Sequence, residues 1–360
     1  MIRLRKIFCL FLFLAMAVSG AAAAECESYK TRHPEWIFCD DFETTAALVG
    51  TGRFFEHDDN KGDFKPVDAM GWKGSRGMRA LWQTGEVEAG NLKVGFGRLP
   101  TPYMSKGIRD QEDFREIYYR MFVRTQAGWE GDPYKLSRAT VIAKSDWSQA
   151  MIAHLWGDRS EHLQLDPASC VDATGKVICS GYNDFNNIKW IGAKAGITKP
   201  YSGDNAGKWA CVEVHVRLND AGQSNGVHEF WIDEKLEARR ENLNFVGGYK
   251  EYGINGVYFE NHWNSGSPKV QERFFDNIVV SSKRVTCAEG GMAPTEVKPP
   301  VYKNLNKVPP PGSLLRGPGV IPWVKALDGG RSVIGRMISP LDREEEVAGP
   351  PPDGTPIPAP

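Results

Sequence analysis

The sequence predicts an all-β domain, two antiparallel sheets packed as a sandwich or jelly roll, with an export leader before it and a Pro-rich tail after it. Three observations predict this. Residues 25–290 alternate with a period of two rather than 3.6, turn-forming clusters separate the alternating runs, and hardly any window offers an amphipathic helix.

The clearest strand is Val212-Glu-Val-His-Val-Arg-Leu218, with the valines and Leu218 on one face and Glu213, His215 and Arg217 on the other. Ile117-Tyr-Tyr-Arg-Met-Phe-Val123 sets Ile117, Tyr119, Met121 and Val123 opposite Tyr118, Arg120 and Phe122. Further strands are expected over 140–144, 149–156, 162–165, 228–232, 257–262 and 274–280. Segments such as Leu218-Asn-Asp-Ala-Gly222 and Asn264-Ser-Gly-Ser-Pro268 supply the turns. Many half-buried strands in a unit of this length point to two packed sheets with one substantial core.

The two ends differ from this pattern. Arg3, Arg5 and Lys6 precede an apolar run over 7–18, and Ala22 and Ala24 are the small residues expected before cleavage at Glu25. The run is shorter than the ~20 residues that span a bilayer, and no later segment is long and apolar enough to do so. Residues 1–24 therefore read as a cleaved signal peptide, directing the chain to the periplasm, the cell envelope or the outside. An uncleaved anchor is the alternative. Fifteen of the 23 prolines fall from Pro294 onward. Proline fixes φ and removes a donor, so 291–360 is expected to be an extended, largely disordered tail.

Without the leader the chain carries 41 basic and 45 acidic residues, a formal net charge of −4. That argues against nucleic-acid or anionic-membrane affinity, which needs a basic excess. A local basic groove for an acidic ligand stays compatible with it.

Six cysteines remain: Cys26, Cys39, Cys170, Cys179, Cys211 and Cys287. An even count in an exported chain implies disulfides, and six cysteines allow 15 connectivities. Short loops favour Cys26–Cys39 and Cys170–Cys179, leaving Cys211–Cys287 as a long staple. No CxxC pair exists, and His228-Glu229 lacks the second His of HExxH, so no metal site is expected. No cofactor is called for, with a structural calcium left open.

Specific residues carry a resemblance. Trp36-Ile-Phe-Cys-Asp-Asp-Phe-Glu43 resembles the opening strand of secreted concanavalin A-like sandwiches. Glu116-Ile-Tyr-Tyr-Arg-Met-Phe-Val123 followed by Lys135-Leu136 carries the same resemblance, and Phe275-Asp-Asn-Ile-Val-Val280 is similar to their closing strand. Trp209, Glu213 and Asn219, then Gly226, Trp231 and Asp233, follow the W-x-x-x-E-x-x-x-x-x-N and G-x-x-x-x-W-x-D spacing of that superfamily. Among its members the polysaccharide lyases, such as alginate and glucuronan lyases, are the ones resembled. The resemblance implies a jelly roll with an acidic polysaccharide as partner. Three places depart from it: Lys135-Leu136 lacks a following Pro-Gly, His162-Leu-Gln164 stands where a Tyr-x-Tyr strand is expected, and Glu234 replaces the Gly of D-G-K.

Breaking a uronate polymer by β-elimination needs a group that neutralises the carboxylate and a base that takes the neighbouring proton. Parity puts Ile152, His154 and Trp156 on one face of their strand, away from Met151, Ala153 and Leu155. His154 is therefore the first candidate base, with Tyr118 or Tyr258 as substitutes. Arg120 or Gln164 would neutralise the carboxylate, Lys135 would hold an adjoining acidic sugar, and Trp156 and His162 would line the groove. Each has a plain structural alternative, since an alternating His is often a half-exposed sheet residue and Arg120 could be one half of a cross-strand ion pair.

Hydrolysis fits less well. Glu229 and Asp233 share a face roughly 13 Å apart at ~3.3 Å per residue, too far for a glycosidase pair. Asp41 and Glu43 sit within the opening-strand motif and read as structural. The different-class alternative to a lyase is a non-catalytic carbohydrate-binding or envelope-associated module spaced by its tail. The oligomeric state is not legible.

Overall fold

A computed structural model describes residues 25–100, 108–131, 133 and 135–288. The expected leader and tail lie outside these residues. A four-residue helix, α1 (Tyr29–Arg32), precedes sixteen strands. In chain order they are β1 (Trp36–Asp40), β2 (Glu56–Asp58), β3 (Phe64–Val67), β4 (Gly77–Trp82), β5 (Glu88–Gly95), β6 (Glu116–Thr125), β7 (Lys135–Ile142) and β8 (Gln149–Gly157). There follow β9 (Leu163–Ser169), β10 (Lys189–Trp190), β11 (Lys194–Ala195), β12 (Ala210–Arg217), β13 (Gly226–Ile232), β14 (Lys235–Leu243), β15 (Gly256–His262) and β16 (Gln271–Ser281).

All pairings between these strands are antiparallel, and they form two eight-stranded sheets. The first runs β14-β13-β12-β6-β16-β4-β3, with β1 also on β16. The second runs β10-β9-β8-β7-β15-β5-β2, with β11 also on β9. The fold is the expected all-β jelly roll.

Alternation explains how the sheets stack. Ile117, Tyr119, Met121 and Val123 of β6 meet Ala139 and Val141 of β7, Met151, Ala153 and Leu155 of β8, and Val257 and Phe259 of β15 in one apolar core. Polar contacts also cross between the sheets. The Tyr119 hydroxyl lies 3.1 Å from Ser137 Oγ, and the fully buried Arg273 of β16 donates to the carbonyls of Glu260 (2.7 Å) and Lys135 (3.1 Å). A buried cation held by carbonyls fixes the position of β15 and β7, which carry the centre of the site described below.

The three disulfides are Cys26–Cys39, Cys170–Cys179 and Cys211–Cys287, the pairs favoured by loop length. Such bonds form and persist in an oxidising compartment. Among the described residues no helix is long and apolar enough to cross a membrane.

Strand ends differ from the sequence expectation in one way that matters. β7 starts at Lys135 rather than at residue 140, so Lys135 belongs to a strand and not to the connection before it.

Candidate functional site

The outer face of the second sheet carries one transverse row of polar side chains. Glu56, Lys93, Tyr258, Arg138, His154 and Asp166 are successive cross-strand partners, one each from β2, β5, β15, β7, β8 and β9. At ~4.8 Å between strands the row is about 24 Å long. Each residue has the parity opposite to its strand's core-facing neighbours, which is why the row forms on one face. At β5 a glycine permits it. Gly90 has φ +85, and a Cβ there would lie 2.4 Å from the Asp58 carbonyl oxygen, so only glycine lets β2 bring Glu56 beside Lys93.

Arg138 is the most heavily bonded member and is fully buried. Its Nε donates to Glu260 Oε2 at 2.8 Å, and one terminal nitrogen donates to Asn183 Oδ1 at 2.6 Å. The other terminal nitrogen donates to the Tyr182 hydroxyl at 2.7 Å and to Glu260 Oε1. The Tyr182 hydroxyl in turn donates to Glu260 Oε1 at 3.2 Å. Burial alone would raise the Glu260 carboxyl, but the Arg138 charge beside it holds it down to about 2. Burial also raises the Tyr182 phenol, outweighing the opposite pull of Arg138, so it stays protonated.

Lys93 pairs with Glu56, and its ammonium lies 5.2 Å from the Trp147 ring, 5.4 Å from Tyr182 and 5.7 Å from Tyr258. Tyr258 is fully buried, and among the described residues its hydroxyl has no hydrogen-bond partner. Burial pushes this phenol well above its ordinary value.

His154 donates from Nδ1 to the Asp166 carbonyl at 3.0 Å. Burial, then the charge of Arg138, pushes its imidazole well below the ordinary value, so the ring is neutral and Nε2 carries the lone pair. Its ring lies 3.9 Å from Trp156 and 5.5 Å from Trp190. Asp166 has a buried Oδ2 with no partner among the described residues, and burial raises its carboxyl to about 7.

These placements sort the sequence candidates. His154, Trp156, Tyr258, Lys135 and Gln164 share this outer face: Trp156 pairs across strands with both Lys135 and Gln164. The open groove expected at His154 is corrected, because the ring is 1% exposed beneath the tryptophans. His162 lies before β9, half-buried and 3.0 Å from Asp158, off the row.

Tyr118 and Arg120 are corrected outright. β6 belongs to the first sheet, so they lie on the opposite outer face of the sandwich and cannot meet His154. There Tyr118 stacks on His215 at 4.2 Å, and His215 bridges Glu229 (2.7 Å) and Glu116 (2.8 Å). Arg120 is buried against Glu25 and backbone carbonyls.

Arg138, Lys93, Glu56, Asp166 and Tyr182 were missed by sequence reasoning. The available signal was parity within β7, where Arg138 alternates with Ser137 and Ala139 once the strand is started at Lys135. Among the described residues no three His, Cys, Asp or Glu side chains converge as a metal site.

No protein-family model matches the chain, and no curated protein matches it. Among solved structures it is similar to an endo-β-1,4-glucuronan lyase from the fungus Trichoderma reesei, at 13% identity and a TM-score of 0.45, over 69% of this chain and 96% of that one. It is also similar to a marine PL-14 alginate lyase from Aplysia kurodai, at 10% identity and 0.46, over 69% and 99%. An alginate lyase from Chlorella virus gives 13% and 0.41, over 61% and 90%. At these scores no residue role or activity is carried over from those proteins to this chain.

Proposed function

We propose that this protein is a polysaccharide lyase-like protein that binds a uronate-containing polysaccharide along the outer face of the second sheet and cleaves it by β-elimination. The observation that supports this reading is the row Glu56-Lys93-Tyr258-Arg138-His154-Asp166, with Trp147, Trp156 and Tyr182 around it. Cations suit the carboxylates of an acidic sugar, aromatic rings suit its faces, and the row is long enough for several sugar units.

The chemistry can be written with these groups. Arg138 or Lys93 neutralises the carboxylate, which acidifies the adjacent carbon. Neutral His154, oriented through Nδ1 by the Asp166 carbonyl, accepts that proton at Nε2. The electron pair forms a carbon–carbon double bond, and the glycosidic oxygen departs with a proton from the Tyr258 phenol. Lys135 and Gln164, across from Trp156, hold a neighbouring unit.

One observation favours binding without cleavage: Lys93 and Arg138 already face Glu56 and Glu260, so the row largely neutralises itself. Exposure to alginate, glucuronan, pectate and glycosaminoglycans decides between the two readings. A lyase gives the ultraviolet absorbance of an unsaturated uronate, and His154→Ala lowers turnover by about 10²–10⁴ with little change in melting temperature. Saturable binding without that product means a carbohydrate-binding module. An active enzyme indifferent to His154→Ala removes His154 from the mechanism.

A further inference from the structure

A single segment, residues 179–190, covers the centre of the row. It leaves the Cys170–Cys179 disulfide and is tied to the β7–β8 turn where the Gly181 amide donates to Ser148 Oγ at 3.0 Å. Asp184 organises its interior, accepting from the Ser180 amide at 2.8 Å and from Asn187 Nδ2 at 2.9 Å. Its inward groups are Tyr182 and Asn183 on Arg138, and Trp190 against His154 and Trp156. Outward, Phe185 is 42% exposed, and the free sides of the Tyr182 and Trp190 rings leave each of them 39% exposed.

The row beneath and beside this segment is unlike a permanently closed surface. The Tyr258 hydroxyl and Asp166 Oδ2 are buried without partners among the described residues. Leaving a buried polar group unpaired costs about 1–3 kcal/mol, and a face sealed for stability alone carries apolar side chains instead. The covering contacts are also chemically replaceable. Asn183 presents a neutral amide oxygen to a guanidinium, and a carboxylate makes the stronger charge-assisted bond in the same place.

We propose that residues 179–190 are a displaceable cover, hinged at the Cys170–Cys179 disulfide, in which Asn183 and Tyr182 occupy Arg138 in the closed state and the two-residue edge strand β10 peels from β9 on opening. A sugar carboxylate replaces the Asn183 amide as the segment swings out, and opening uncovers Arg138 and His154. The identity of the displacing ligand rests on the acidic-polysaccharide reading; the existence of the cover does not.

The test therefore has a ligand-free arm and a binding arm, both on the full chain. Without ligand, the amides of residues 181–188 are expected to exchange deuterium at least about a hundredfold faster than those of β8 and β9, as for a locally opening segment. Asn183→Ala and Tyr182→Phe raise that rate further, and Asn183→Ala makes His154 several-fold more reactive to diethylpyrocarbonate by peptide mapping. In a His154→Ala background, chosen to slow any turnover, Asn183→Ala binds tetrasaccharides from alginate, glucuronan or pectate about 3–10-fold tighter, as expected when one closing hydrogen bond is lost. Arg138→Ala abolishes that binding. Exchange as slow as in β8, with His154 unreactive in every variant, overturns the cover. Weaker binding by Asn183→Ala overturns the assignment of Asn183 as the closing contact that the sugar carboxylate replaces, making it a ligand contact. A segment that opens while no variant binds any oligouronate upholds the cover and removes the acidic-polysaccharide reading instead.

Discussion

Arg120 and Glu25 form an ion pair at 2.6 Å in which the arginine side chain is fully buried and the glutamate is 7% exposed. The pair joins β6 to the first described residue, and Asn277 Nδ2 donates to the same carboxylate oxygen. Removing one partner of a buried pair strands the other charge. Glu25→Ala is expected to lower the unfolding free energy by about 3–5 kcal/mol, read from denaturant midpoints. A loss below about 0.5 kcal/mol would show that the Asn277 and Thr286 carbonyls suffice for Arg120.

His228 is the counter-example on β13. Its ring is fully buried, neither nitrogen has a partner among the described residues, and burial pushes its pKa down to about 3. The unfolded chain takes a proton near 6.5, whereas the folded one resists until about 3. Between those values the unfolded state binds more protons, so stability falls as pH falls. By pH 3 the loss approaches about 4–5 kcal/mol. His228→Phe is expected to flatten this acid limb in melts recorded from pH 7 to pH 3. An unchanged limb would assign acid sensitivity elsewhere.

Asp166 has the opposite sign. Burial raises its folded carboxyl to about 7 against an unfolded value near 3.9, so the folded state binds more protons in that interval. Its contribution is present below pH ~4 and is lost as pH rises to about 7. Asp166→Asn should therefore gain on the wild type with rising pH, by about 2–4 kcal/mol at pH 8. A pH-independent difference between the two proteins would contradict the buried, unpaired carboxyl.

The Cys211–Cys287 bond closes a separation of 76 residues and ties β12 to the segment after β16. A Cys211→Ala/Cys287→Ala double variant is expected to lose about 2–5 kcal/mol. Denatured, unreduced wild type should titrate no thiols, and two or more per mature chain would contradict the three bonds.

The fold was legible because strict alternation marks half-buried strands such as β6 and β12, and because loop length favoured the cysteine pairs that formed. β5 was hidden by Gly90 and Gly95, and β14 by the charged run Arg239-Arg240-Glu241, neither of which reads as a strand. The site was half legible for a related reason. Parity gives the face of a strand and not the sheet to which it belongs. His154 and Tyr258 lie on the outer face of the second sheet, and Tyr118 and Arg120 have the same parity in the other sheet. β6 and β7 follow one another in sequence, yet the chain crosses from one sheet to the other between them. Successive strands are neighbours only about two-thirds of the time, and here they were not.

Strand order also governs when this molecule can exist during its synthesis. β15 lies between β7 and β5, and β16 between β6 and β4, so the central seam of each sheet is supplied by residues 256–281. A chain emerging N-terminus first holds four half-sheets with open edges until those two strands arrive. Arg138 then has no Glu260, and the core of β6 has no β16. Little can be secured early, and both sheets close together at the end, which favours slow, all-or-none folding from long-range contacts. A ribosome stalled before residue 256 would carry a protease-sensitive chain, however much of the sequence had already been made.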